Sequence, residues 1–160
     1  MEFHLEKHAA HVAMVQLREE KHGEESVLAT DVRITLDTPN DFLSYLSPTL
    51  KWSLYDRPDS AQGELVEDKS HLPRLRYAEI PKIHWDGEMR ADVVIHNLVE
   101  PGDTEMEGAT IDKMVLECLD GGTVTVTFRV KVLPAPKLAA ALPVLLGKDV
   151  RVTVRPPETA

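Results

Sequence analysis

One cysteine, Cys118, in 160 residues leaves nothing for it to pair with inside the chain, which excludes a fold stapled by internal disulfides. Aromatic residues make up 5% of the chain, so few rings are free to stack on bases. No stretch approaches the roughly 18 apolar residues of a membrane-spanning helix. The longest, residues 138–146, contains Pro143. Met1-Glu2-Phe3-His4-Leu5-Glu6-Lys7 has neither a basic n-region nor an apolar h-region, so no secretion signal is expected and the cytoplasm is the expected compartment. The chain also lacks a G-x-S-x-G elbow, an H-E-x-x-H pair, a Walker loop and a dinucleotide fingerprint. The expectation is therefore a protein that is no enzyme and takes no cofactor.

What is present suits an ordinary globular chain: 42% hydrophobic and 28% charged residues, expected to form one β-rich domain over 1–160. The net charge of −9 is unevenly placed. Residues 1–120 carry 25 acidic and 12 basic side chains, whereas residues 121–160 carry 2 and 6. An acidic body repels phosphates on average, yet a local basic face can still bind them.

Period-two alternation dominates the C-terminal part. Val124, Val126, Phe128, Val130 and Val132 alternate with Thr123, Thr125, Thr127, Arg129 and Lys131, and Val150, Val152 and Val154 repeat the pattern. Residues 138–146 between them read as a short helix closed by Gly147. Residues 3–18 and 26–37 read as a hairpin turning at the charged segment around Gly23, with Leu28, Val32, Ile34 and Leu36 inward. Thr38-Pro39-Asn40-Asp41 signals a capped helix start, and Ser47-Pro48 a second one. Residues 56–64 read as an exposed loop. Trp85-Asp86-Gly87-Glu88 reads as a type I′ hairpin, residues 99–108 as an acidic loop, and Asp120-Gly121-Gly122 as a further hairpin. The fold expected is mainly β: an antiparallel β-sandwich or bent sheet of about eight strands with three short helices. The remaining inward set comprises Val93, Ile95, Met114, Leu116 and the valines and Phe128 above.

Candidate chemistry is sparse. His4, His8 and His11 would share a helix face, but on a strand His11 points away from the other two, so no metal site is expected. Cys118 alternates with Met114 and Leu116 and reads as a small buried hydrophobe. Arg129, Lys131, Arg151 and Arg155 project from the outward faces of two strands. If those strands are neighbours, the four form a basic strip for nucleic acid; the alternative is ordinary cross-strand ion pairing. Glu100, Asp103, Glu105 and Glu107, with Glu19, Glu20, Glu24 and Glu25, offer an acidic surface to a basic partner.

The succession His22-Gly23-Glu24-Glu25, N-D-F-L-S at 40–44, S-L-Y at 53–55, D-G-G-T at 120–123 and L-L-G-K-D-V-R-V-T-V-R-P-P at 145–157 resembles a group of short, poorly characterised proteins of tailed phages and prophages. The resemblance spans nearly the whole chain. It implies a phage origin and a place among early genes, often near those for single-strand annealing, recombination and replication, and it implies no catalytic residues. The function expected is a non-enzymatic accessory or binding protein of phage DNA metabolism. The alternative is an acidic inhibitor of a host defence or nucleic-acid-handling machine, acting by protein contact or DNA mimicry. A third reading is a structural component of the virion. The expected partners are a phage or host protein, a weakly held single strand and a second copy of the chain, with no membrane.

Overall fold

Apolar residues at alternate positions, β-branched above all in the strands over 25–39, 123–132 and 149–155, underlie a β fold of nine strands among the described residues of the computed structural model, which describes residues 1–57, 71–97, 99, 102–133 and 136–158. The strands are β1 (Leu5–His22), β2 (Glu25–Pro39), β3 (Tyr55–Asp56), β4 (Arg74–Leu75), β5 (Ile83–Trp85), β6 (Met89–His96), β7 (Thr104–Cys118), β8 (Thr123–Val132) and β9 (Asp149–Arg155). The helical pieces are a 3-10 turn, Asn40–Tyr45, the helix α1 (Leu50–Leu54), and α2 (Pro136–Ala141), which runs on into a 3-10 turn, Leu142–Leu145. No helix among the described residues is long and apolar enough to cross a membrane.

The mainly β, antiparallel expectation holds, but the sheet is neither a sandwich nor an open bent sheet. Six strands close into a barrel in the order β1, β2, β8, β7, β6, β9 and back to β1. Every neighbour is antiparallel, which a closed ring permits only with an even number of strands. Closure depends on β7. One of its edges holds β6 along Thr104 to Ile111, and the other holds β8 along Thr110 to Cys118.

Bulges bend the strands far enough to close the ring. Lys7 (φ 46°) lies where the β1–β9 register slips, and Lys113 (φ 49°) where the β7–β8 register slips. Gly108 (φ 61°) accompanies a third slip, between β6 and β7. Each slip moves the inward set by one residue. Along β7 the buried side chains are Thr104 and Met106, then Ala109 and Ile111, then Met114 and Leu116.

Three expectations fail for identifiable reasons. Residues 85–88 form no hairpin. Ile83 faces Leu116, Trp85 faces Met114 and Met89 faces Ile111, so β5 and β6 are one interrupted strand stepping past the bulge in β7. Gly87 has no positive φ; the Trp85 indole lies against it, and an added Cβ would overlap the ring. The acidic loop expected over 99–108 is shorter, because β7 begins at Thr104 and Gly108 serves its bulge. Thr38 does not cap a helix; β2 continues through Pro39, and the Asn40 N–H donates to the Gly122 carbonyl. Of the loop expected over 56–64, Asp56 belongs to β3 and residues 58–64 lie outside the described residues.

The barrel interior holds the expected inward set except Leu28, which is 47% exposed because it lies beyond the last residue of β2 paired with β8. One end is filled by rings: Phe3 packs on Phe42 and Phe128 at centroid distances of 5.2 and 5.6 Å, and Tyr45 meets Phe42 edge-on at 5.3 Å. At the other end the segment 136–145 packs against both β1 and β7, which face each other across the ring, so it spans the mouth and buries Leu142 and Leu145 completely.

Gly87→Ala should destabilise the protein by about 1–3 kcal/mol, because its Cβ must displace the indole. Urea unfolding gives the loss, and Trp85 emission should shift as the ring moves. Unchanged stability with unchanged emission would show that the ring does not rest there.

Candidate nucleic-acid interface

Closure decides the fate of the basic strip expected from sequence. Arg129 and Lys131 stand on β8, and Arg151 and Arg155 on β9. Between those strands lie β2 and β1 on one side of the ring and β7 and β6 on the other, so the two pairs occupy opposite walls. The short helical segment linking them crosses the barrel mouth rather than returning the chain alongside. The four cations cannot act as one strip.

On the β8 wall the cross-strand alternative applies. The Arg129 guanidinium donates to both carboxylate oxygens of Asp112 on β7, at 2.8 and 2.7 Å, and Lys131 Nζ approaches Asp112 at 3.2 Å. Asp31 on β2 lies 3.8 Å from Arg129 and accepts from Arg18 Nε at 2.9 Å; Arg18 also donates to Glu20 at 2.6 Å. The result is a charge ladder across four adjacent strands. Burial pushes the Asp112 carboxyl up, but the hydrogen bonds from Arg129 and Lys131 outweigh it and hold the group below the usual carboxylate range. The same Asp112 hydrogen bonds raise Arg129 above its ordinary value, against burial. On the β9 wall, Arg151 donates to the Lys7 carbonyl at 3.0 Å, and Arg155 faces Asp92 on β6.

A different cation set converges where β2, β8, β7 and β5 lie side by side. Arg33, Lys82 and Lys113 rim a concavity of about 450 Å³ whose walls include His84, Trp85 and Arg129. None of the three rim cations has an acidic partner among the described residues, whereas Arg129 is held by Asp112. Two local features are unfavourable for stability alone. Arg33 stands directly opposite Arg129, a like-charged cross-strand pair. Lys113 holds a positive φ that L side chains rarely adopt, at the bulge that turns it outward. Asp86 is the acid in the lining. The outward parity of Arg33 is visible in the sequence, but Lys113 is not distinguishable there, because a bulge leaves no mark in the alternation.

The acidic candidates scatter. Glu100 lies outside the described residues. Asp103 is 3.1 Å from His96 Nδ1, and Glu105 and Glu107 stand exposed on β7. Glu19, Glu20, Glu24 and Glu25 gather at the β1–β2 turn, where Glu19 accepts from Ser26 and Glu20 from Arg18. Of the histidines, His8 Nε2 lies 2.7 Å from the Asp37 carbonyl and His11 Nδ1 2.8 Å from Asp149, so the residues do not converge. Among the described residues no group of three or more His, Cys, Asp or Glu is placed to hold a metal. Cys118 is partly buried; burial raises its thiol above the ordinary value, against a lowering hydrogen bond with Tyr55. No protein-family model, curated protein or solved structure matches the chain.

Asp112 gives a pH test. Its folded-state pKa is depressed, so its contribution is complete above the unfolded-state value and is lost as pH falls through the folded one. Asp112→Asn should cost about 1–3 kcal/mol at neutral pH by removing the countercharge of Arg129 and replacing one of its two acceptor oxygens with a donor. In urea unfolding the gap to wild type should narrow as pH falls below about 4, where the unfolded carboxylate takes up its proton. A gap independent of pH would remove Asp112 from the ladder.

Proposed function

We propose that the chain is a non-enzymatic accessory protein of a tailed phage or prophage, acting in the host cytoplasm. In this reading it serves DNA recombination or replication by holding a single strand weakly while engaging a protein partner. The observation that carries this reading is the groove of Arg33, Lys82 and Lys113. Three cations without an acidic partner among the described residues meet one concavity on an otherwise acidic molecule, in an arrangement that works against stability unless an anion completes it. The phosphodiester backbone supplies such an anion. Trp85 and His84 stand in the groove wall beside it, Trp85 half-buried and His84 exposed.

The contact is modest. Three neutralised phosphates give a salt slope of about −2 on a single strand, so binding belongs to low salt or to a ternary complex with a partner. The second reading, an acidic inhibitor that imitates DNA, draws on the carboxylates at the β1–β2 turn. It predicts binding to a basic protein and none to nucleic acid.

Fluorescence anisotropy of a labelled single strand across a salt series separates the two. Wild type should bind at low salt with the shallow slope above. Arg33→Ala/Lys82→Ala/Lys113→Ala should lose most of that binding, and Arg151→Ala/Arg155→Ala should keep it. Absence of binding at low salt, or equal loss in both variants, would overturn the groove and favour the acidic reading.

A further inference from the structure

The end of the barrel away from the aromatic plug is unfinished. β9 pairs with β1 along Leu5 to His11, and β8 pairs with β2 from Thr30 onward, yet β1 and β2 pair with each other out to His22 and Glu25. Residues 18–29 therefore leave the barrel as a two-stranded arm of five residue pairs, about 17 Å long, with neither edge paired to another strand among the described residues. A lone ribbon of this kind is marginal in water. Its register puts Leu17 and Leu28 on the same face as Val15 and Val32, the face that lines the core lower down. Beyond the mouth no described residue covers them fully, and they are 46% and 47% exposed. Around the same mouth, Leu133, Val144 and Leu146 are each more than half exposed, and Val99 stands out from the loop before β7. The exposed Tyr45, Trp52, Tyr77, Ile80 and Leu119 lie at the opposite end, on short helices and loops without a projecting strand pair.

Charge separates the two parts of this end. The arm tip carries Glu19, Glu20, Glu24 and Glu25 against Arg18, already engaged by Asp31 and Glu20, and Lys21. The segment closing the mouth is flanked by Lys137 and Lys148, neither in an ion pair among the described residues.

We infer that the arm is a dimerisation element, and that its occupant is a second copy of this chain. The arm offers Leu17 and Leu28 beside an acidic tip, with Glu19 directly opposite Leu28, and the mouth segment offers apolar side chains with two lysines. Both stand at one end of one molecule, so two copies meeting end to end about a two-fold axis satisfy each complementary contact twice and leave no open surface to propagate. An unrelated partner would have to supply both halves; the chain itself already carries them. The dimer leaves the outer-wall groove of Arg33 and Lys113 uncovered on each copy, and the inference stands independently of what that groove binds.

Light scattering at micromolar concentration tests it. Wild type should show twice the 17.9 kDa chain mass. Leu28→Glu, at a position exposed in the single chain, should be monomeric with unchanged circular dichroism. Lys137→Glu/Lys148→Glu should raise the dissociation constant about tenfold, as two screened charge contacts would. Adding Glu24→Lys/Glu25→Lys to that variant should restore the dimer. If Leu28→Glu fails to fold, the charge variants decide the matter. A wild-type monomer, or a dimer indifferent to these changes and to their reversal, would overturn the inference.

Discussion

Pairing between β7 and β8 is the constraint on which the other features depend. Without it the six long strands would form an open antiparallel sheet with two exposed edges, each a template for further pairing. With it the ring closes, and every strand of the barrel finds a partner on both sides over part of its length. β7 achieves this by being bulged twice, at Gly108 and Lys113. The bulges give β7 the coil that closure needs, at the expense of a strained lysine conformation.

Closure fixes both the inside and the outside. A six-stranded ring is narrow, so side chains fill it completely; Phe128, with Phe3 and Phe42 behind it, seals one end, and Leu142 and Leu145 seal the other. Outside, parity alone puts Arg18, Asp31, Arg129, Lys131 and Asp112 on adjacent strands of one wall, where they neutralise one another. The cations left over on that wall, Arg33, Lys82 and Lys113, are those the ladder does not reach, and they meet around one concavity. The groove thus owes its position to how the ring closes. Pairing between copies through open strand edges has no place on the closed barrel wall; among the described residues, free edges persist chiefly in the arm.

Much of the β pattern was legible in the sequence, since local periodicity carries it. β8 alternates at every position, and the hairpins turning at Gly23 and at Gly121-Gly122 fall where the glycines place them. What could not be read was order in space. A strand's alternation says which residues face inward, but not which strand lies beside it, so whether β8 and β9 are neighbours stayed open, and they stand on opposite walls. Bulges were equally invisible, and with them the role of Lys113. Asp86-Gly87 misled because its glycine answers to the Trp85 ring rather than to a turn. Leu28 misled because its periodicity continues past the point where the barrel stops. Candidate site residues suffered most, because a site is a convergence of strands distant in sequence.

Cross-strand nuclear Overhauser effects on isotopically labelled protein test the closed ring most directly. The account predicts inter-strand contacts for all six pairs, including Thr110 with Lys131 and Leu116 with Val126 between β7 and β8, together with contacts joining β9 to β1 and to β6. Contacts between β8 and β9, or none between β7 and β8, would show an open sheet and return the four C-terminal cations to a single face.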